Sequence, residues 1–376
     1  MVQEEKNKTG RVMLVLGTRP EAIKLYELIH LFREYQSSDC MVVNTGQHTS
    51  LLDDLTDDLK FNFDVTFEIN RDDSSILQFM SSCILKLETL ISSWKPDIII
   101  VQGDTSTALV AALTGFYCGV EVFHVEAGLR TESKIAPFPE EVNRRLISQI
   151  ADFHFAPTEH DMKNLLDSGI SRNEILITGN TVVDVLMKVK ENADLLPQPD
   201  SVQLNPNRKN ILVTFHRRES WGEPIREICR AINTLASEYL DYNFILPLHP
   251  NPRIKEIVDQ ELTKSNNVMV VKALKYTEMI YFMSQCQVIL TDSGGIQEEA
   301  PTFNVPVMVL RDETERMQGV LEGVSFICGT SNSKIVEIFR HVIKMESNPQ
   351  QQNPYGTGDA SNKIFKTIIT HLSNKL

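Results

Sequence analysis

The chain has 376 residues, with 37 Lys and Arg against 50 Asp and Glu, for a net charge of −13. This length suggests two domains, and 42% hydrophobic with 23% charged residues fits an ordinary globular chain rather than a disordered or fibrous one. The acidic balance argues against nucleic-acid binding, which needs a basic face, but admits a small anion held by a local cluster of Arg and backbone N–H groups.

Along the chain, RVMLVL at 11–16 reads as a buried strand and EAIKLYELIHLFREY at 21–35 as the helix that follows it. MVVNT, DVTFEI, DIIIVQ, EVFHV, DFHFA and EILIT come next, separated by helical or polar segments. Apolar runs of this length interleaved with helices predict a parallel sheet covered on both faces. Residues 194–209 hold three prolines and no apolar period, which reads as a linker. The alternation then restarts with NILVTF, NFILPL, VMVV, QVILT, VPVMVL and SFICG. A second Pro/Gly/Asn cluster at 348–358 precedes a final helical segment at about 359–373. The expectation is an α/β fold of two doubly wound, Rossmann-like parallel-sheet domains facing each other.

Six cysteines (Cys40, Cys83, Cys118, Cys229, Cys286 and Cys328) show no metal or disulfide spacing and read as reduced thiols of a cytoplasmic protein. The N-terminal MVQEEKNKTG lacks the basic start of a secretory leader, and no run approaches the roughly 18 apolar residues of a membrane span. No nucleic acid, membrane or metal partner is expected.

In open α/β sheets, ligands gather beyond the carboxyl ends of the strands, so the residues directly after each strand carry the functional information. The first such turn is Gly17-Thr18-Arg19-Pro20-Glu21. Pro20 suits the first position of a helix, whose free N–H groups favour an anion, with Arg19 and Lys24 able to contact the same phosphate. GxGxxG is absent here and no P-loop occurs, which counts against NAD and ATP. After DIIIV come Gln102-Gly103-Asp104-Thr105, where Asp104 is either a catalytic carboxylate or the N-cap of a helix. Glu126 ends the next strand; its ordinary alternative is a surface pair with Arg130. In PFPEEVNRR, Glu140 and Glu141 occupy a first helical turn and Glu140 stands i,i+4 from Arg144. Each acid has a structural explanation by itself. Three strand-end carboxylates in one domain are harder to explain that way.

In the second half, His216-Arg217-Arg218-Glu219 follows NILVTF, and a His beside two arginines suits both proton transfer and diphosphate binding. Asp292-Ser293-Gly294-Gly295 opens a helix after QVILT, exposing N–H groups to an anion, with Glu299 further along for a ribose. Arg311 and Arg316 add cations nearby, whereas His30, His341 and His371 lie in helical stretches and read as structural. These residues describe an enzyme acting on a nucleotide-linked compound without naming the reaction.

Taken in order, GTRPEAIK, TGQH, GDTST, HVEAGLRT, PFPEEVNRR, ITGN, HRRE, TDSGGIQEEAP, RDETER and NPYGTGDAS resemble the non-hydrolysing UDP-N-acetylglucosamine 2-epimerases from residue 11 to about 365. The resemblance implies a GT-B architecture of two Rossmann-like domains with the sugar nucleotide in the cleft: an N-terminal domain over 1–185, a UDP-binding domain over 186–357, and a C-terminal helix, 358–376, returning to the first domain. It implies interconversion of UDP-N-acetylglucosamine and UDP-N-acetylmannosamine by elimination of UDP and its re-addition, with no cofactor and no metal, in a homodimer supplying cell-surface polysaccharide. The alternatives are a hydrolysing relative that releases free N-acetylmannosamine, an enzyme for a related UDP-2-acetamido sugar, a GT-B glycosyltransferase, and a catalytically dead sensor.

The resemblance further implies Asp104, Glu126, Glu140 and His216 as acid–base groups. Arg19, Lys24, Arg144, Arg217 and Arg316 are implied as sugar and phosphate contacts, Ser293, Gly294 and Gly295 as the diphosphate turn, Glu299 as the ribose ligand, and Met279 as a neighbour of the uracil. Gln47, His48 and His249 match an activator site found in bacterial members. The chain departs from the common pattern at Ser220, Met279, Met317 and Gln318, and near the activator region at Ser50 and Asp73.

Overall fold

The computed structural model describes residues 10–47, 62–69, 75–135, 137–191, 196, 199, 202, 204–217, 220–249, 251–345 and 351–375. The chain forms two compact units, Met1–Val185 with Tyr355–Leu376, and Leu186–Pro354. Of the Pro-rich stretch 194–209, residues 194, 195, 197, 198, 200, 201 and 203 lie outside the described set.

The first unit is built on a parallel seven-stranded sheet: β1 (Gly10–Leu16), β2 (Ser38–Asn44), β3 (Val65–Thr66), β4 (Ile98–Gln102), β5 (Glu121–Val125), β6 (Phe153–Ala156) and β7 (Ile175–Ile177), in the order β3-β2-β1-β4-β5-β6-β7. Strand β1 is central, and Val12 to Leu16 are buried on both faces, which is why it reads as a continuous apolar run. DVTFEI contributes only two paired residues, Val65 and Thr66, as a short edge strand. Asp64 there turns its carboxylate onto Val42 N (2.7 Å) and Arg33 (3.1 Å), while its own N–H donates to Val42 O (2.9 Å).

Helix α1 (Arg19–Glu34) starts at Thr18 with Pro20 in its first turn. Then come α2 (Ile76–Trp94), α3 (Ser106–Tyr117), α4 (Glu140–Ile150), α5 (Glu159–Asp167) and α6 (Thr181–Glu191). The N-cap of α3 is Thr105, whose hydroxyl accepts from Ala108 N at 3.0 Å, so Asp104 is not needed as a cap.

The second unit holds a parallel six-stranded sheet, ordered β10-β9-β8-β11-β12-β13. Its strands are β8 (Lys209–Thr214), β9 (Tyr242–Pro247), β10 (Val268–Val271), β11 (Cys286–Thr291), β12 (Val307–Val309) and β13 (Ser325–Ile327). Around it lie α7 (Glu223–Glu238), α8 (Pro252–Glu261), α9 (Tyr276–Ser284), α10 (Gly294–Glu299), α11 (Met317–Leu321) and α12 (Asn332–Val342). In both sheets the strand order reverses beside the first strand, between β1 and β4 and between β8 and β11. The loops that leave those strands therefore define each unit's candidate site.

The final helix, α13 (Ala360–Lys375), belongs to the first unit and packs on α1, with Phe365 edge-on to Phe32 (5.0 Å) and Tyr35 (5.4 Å). Asp184 caps its start, accepting from Ala360 N (3.1 Å) and Ser361 N (2.6 Å), while Glu121 meets His371 and Lys375 near its end. The chain re-enters this unit through a close backbone crossing. Asn180 N donates to Tyr355 O at 2.6 Å, and a Cβ on Gly179 would stand 3.1 Å from the Gly356 Cα. All six cysteines are free thiols, and among the described residues no helix is long and apolar enough to cross a membrane.

Candidate active site

In the first unit, three loops meet beyond the carboxyl ends of β1, β4 and β5. Gly103 N donates to Val125 O at 2.9 Å, and His124 Nε2 lies 2.7 Å from Gly103 O, so the β4 and β5 termini are stitched together. Burial pushes His124 down to about 4, which leaves a neutral structural imidazole rather than an acid. Glu21 ties in the β1 loop. Its Oε2 accepts from Gly17 N (3.1 Å), Thr18 N (2.8 Å) and Thr18 Oγ1 (2.8 Å), and its Oε1 accepts from Thr105 Oγ1 (2.6 Å). Desolvation outweighs these four donors and raises Glu21 to about 7.

Glu126 follows β5 with φ of 63°, a left-handed backbone that a non-glycine residue adopts at some cost. The conformation goes with a side chain that turns inward. Glu126 Oε2 is 2.6 Å from Lys24 Nζ and also accepts from Gln102 Nε2. The alternative, a surface pair with Arg130, does not form: Arg130 donates to Leu129 O and Ser148 Oγ.

Asp104 is held from α4. Arg144 Nε and Nη2 both reach Asp104 Oδ2, at 2.8 and 2.7 Å, and Asn143 Nδ2 donates to Asp104 O at 2.8 Å. Arg144 Nη1 also contacts Glu141 Oε2 at 3.2 Å. Glu141 is fully buried and collects Arg145 Nε (2.7 Å) and Thr131 N (2.9 Å) as well. Glu141 is therefore spent on structure, and its neighbour Glu140 sits half-buried at the first position of α4. Arg19, also half-buried, opens α1. Asp104 and Glu126 are thus brought together through bonded loops, each beside a cation. Such groups can move protons and stabilise developing charge.

In the second unit, the site residues line the ends of β8, β9 and β11. The His216 ring stacks on His249 at 5.9 Å and 14°, and its Nδ1 lies 3.3 Å from Oδ1 of buried Asp292. Ser293, Gly294 and Gly295 open α10, where the first N–H groups lack intrahelical partners. A Cβ on Gly294 would fall 2.8 Å from Arg316 Cζ, so glycine lets the guanidinium lie against the turn. Arg316 is fixed there by Glu298 (3.0 Å) and Glu315, and Glu315 also draws in Arg311 (2.8 Å) and Arg217 (3.5 Å). Three arginines thus surround one buried glutamate beside an anion-ready turn. Glu299 points its carboxylate toward the same turn, 3.8 Å from where a Gly295 Cβ would be, and Met279 is half-buried on α9.

Gln47 belongs to the first unit, where its Oε1 accepts from Thr107 N (3.1 Å) and Oγ1 (2.8 Å), whereas His249 belongs to the second. His48, Ser50, Asp73, Arg218 and Glu219 lie outside the described residues. Sequence reasoning missed the supporting acids and amide: Glu21, Gln102, Glu141, Asp292, Glu298 and Glu315. All stand inside or beside the quoted motifs: Gln102 ends β4 and Asp292 directly follows β11, whereas Glu21, Glu141, Glu298 and Glu315 lie further along, on or beside helices, where no strand end signalled them. Among the described residues, no group of three or more His, Cys, Asp or Glu side chains is arranged to hold a metal ion.

Comparison with known proteins gives a consistent result. The family model described as UDP-N-acetylglucosamine 2-epimerase matches residues 31–369. The UDP-N-acetylglucosamine 2-epimerase of Bacillus subtilis is 38% identical over 368 residues, covering 97% of this chain and 96% of its own. The crystal structure of UDP-GlcNAc 2-epimerase from Neisseria meningitidis bound to UDP-GlcNAc superposes with a TM-score of 0.89 at 37% identity, covering 96% of this chain and all of that one. The Methanocaldococcus jannaschii UDP-GlcNAc 2-epimerase, in complex with UDP-GlcNAc and UDP, gives 0.84 at 30% identity, covering 96% and 99%. With two parallel sheets of this topology and a match over nearly its whole length, the chain belongs to the UDP-N-acetylglucosamine 2-epimerase family.

Proposed function

We propose that the chain interconverts UDP-N-acetylglucosamine and UDP-N-acetylmannosamine without hydrolysis. The observation that carries this reading is the pairing of Glu126 with Lys24 and of Asp104 with Arg144 at adjoining strand ends. The C2 hydrogen of the sugar is not next to a ketone, so simple deprotonation gives a poorly stabilised carbanion. Elimination avoids this. A carboxylate takes the C2 proton, the C–H electrons form the C1–C2 double bond, and the C1–oxygen bond breaks to release UDP and 2-acetamidoglucal. A second carboxylate then protonates C2 from the opposite face as a UDP oxygen rebonds to C1.

In this proposal Asp104, Glu126 and Glu140 supply the base and the opposite-face acid, with Arg19, Lys24 and Arg144 neutralising charge around the sugar. In the second unit, the turn at Ser293, Gly294 and Gly295, with Arg217 and Arg316, receives the diphosphate. Glu299 binds the ribose, Met279 lies by the uracil, and His216 assists departure of the diphosphate. Gln47, His48 and His249 belong to a second, activating site for the same nucleotide sugar. The enzyme works as a cytoplasmic homodimer and feeds cell-surface polysaccharide synthesis.

Incubation with UDP-N-acetylglucosamine in heavy water, followed by NMR, tests the reaction. Deuterium at C2 of a sugar still joined to UDP is expected. Free N-acetylmannosamine with UDP would instead mark a hydrolysing enzyme, and absence of C2 exchange would overturn the epimerase reading.

A further inference from the structure

The second unit holds a carboxylate that the proposed reaction does not use. Asp292 directly follows β11, is fully buried, and faces the loop that leaves β8. Its oxygens accept from His216 N (3.0 and 3.2 Å), Arg217 N (2.9 Å) and the Ser220 hydroxyl (3.4 Å), and Oδ1 lies 3.3 Å from His216 Nδ1. The imidazole is thus within ion-pair distance of this carboxylate, whereas Arg217 directs its guanidinium to Glu315. A buried carboxylate is costly unless satisfied, and here the donors come from a single loop.

The remaining surroundings of His216 fit the same task. Its side chain is 44% exposed, although Nδ1 lies against a fully buried carboxylate. The His249 ring covers it in parallel, and burial followed by the proximity of His216 lowers the His249 pKa, which keeps a second cation away. Trp221 Nε1 donates to His216 O at 3.4 Å. Ser220, one of the positions that departs from the family's common pattern, is buried and directs its hydroxyl to the same carboxylate.

We propose that Asp292 is the positioning residue for His216: it accepts a hydrogen bond from Nδ1–H and keeps that proton in place, so that Nε2 gives its proton to the diphosphate as the C1–oxygen bond breaks, leaving the Nδ1–H tautomer, and takes it back when that bond re-forms. The inference rests on the reading of His216 as the group that assists UDP departure. A ring nitrogen's role is set by the hydrogen bond its partner nitrogen makes, so a carboxylate on one side determines the chemistry on the other.

The test begins with the unaltered protein. Nitrogen NMR of histidine-labelled enzyme at about pH 8.5, where an ordinary imidazole is neutral, reports the tautomer. The His216 resonance is assigned by its loss in His216→Asn. Nδ1–H is expected, and Nε2–H overturns the proposal whether or not Asp292→Asn folds. In Asp292→Asn the amide oxygen still accepts from the backbone N–H groups, but the NH2 group donates toward Nδ1 and reverses the tautomer. A fall of roughly 100-fold or more in kcat is then expected, with KM within about threefold. Full activity in Asp292→Asn overturns the proposal. Failure of the epimerase reading is separate, because it shows as absence of C2 exchange in the unaltered enzyme whatever the tautomer.

Discussion

Lys24 Nζ lies 2.6 Å from Glu126 Oε2, with the two side chains only 9% and 5% exposed. The partners are 102 residues apart, Lys24 on α1 and Glu126 directly after β5, so the pair pins the start of α1 to the end of β5. Two charges removed from water are tolerated together and penalised apart. Lys24→Met should therefore cost about 3–5 kcal/mol by leaving Glu126 buried without its cation. Lys24→Met with Glu126→Leu should recover part of that loss. Urea denaturation of the two single variants and the double variant measures the coupling, and additive effects would count against a coupled pair.

Gly128 offers a test of close approach. Its φ is 101°, and a Cβ there would stand 2.3 Å from the main-chain oxygen of Asp161, which cannot swing away. Gly119 has φ of 70°, but a Cβ there would meet nothing within 4 Å. Gly119→Ala should cost only the conformational penalty, about 1 kcal/mol. Gly128→Ala should cost clearly more, by a further ~1–3 kcal/mol for the clash. Equal melting temperatures for the two variants would show that space at Gly128 does not matter.

Glu21 makes stability depend on pH in an unusual direction. Its pKa in the fold, about 7, lies above the ordinary 4.5, so the folded state favours the protonated acid. Its contribution is complete below about pH 4.5 and is lost as pH rises through about 7. For this fully buried group the change is on the order of 3 kcal/mol. Glu21→Gln, a mimic of the protonated acid, should remove that decline. Denaturation of both proteins between about pH 5 and 8 gives the difference, and a constant gap across the range would sink the assignment.

These buried groups mark the limit of what the sequence conveys. RVMLVL is legible as a central strand because both its faces are covered, and the start of α1 is legible because Pro20 can stand only in a first turn. Asp104 and Thr105 are both good caps, and only the Thr105 hydroxyl bond to Ala108 N decides between them. The partner of Glu126 is not legible at all. Arg130 is four residues away and plausible, whereas Lys24 is brought near only by the order of β1, β4 and β5 in the sheet. Asp292 is similar, since its role exists only because β8 and β11 are neighbours. Local periodicity reports elements and their ends, while the pairing of polar side chains between non-adjacent loops is a property of topology.

On the proposed reading of this turn as the diphosphate site, the contact between Gly294 and Arg316 connects backbone shape to nucleotide affinity. Arg316 is buried with its guanidinium against the turn, tied to Glu298 and Glu315. A methyl group at Gly294, 2.8 Å from Cζ, must displace that guanidinium, and the two ion pairs leave it little room to move. Gly294→Ala should therefore weaken UDP binding by about tenfold, or about 1.4 kcal/mol. The effect should overlap with that of Arg316→Ala, because both remove the same cation from the same place. Calorimetric titration of UDP into the two single variants and the double variant checks this. If the double variant shows the full product of the two losses, Gly294 acts on the nucleotide independently of Arg316.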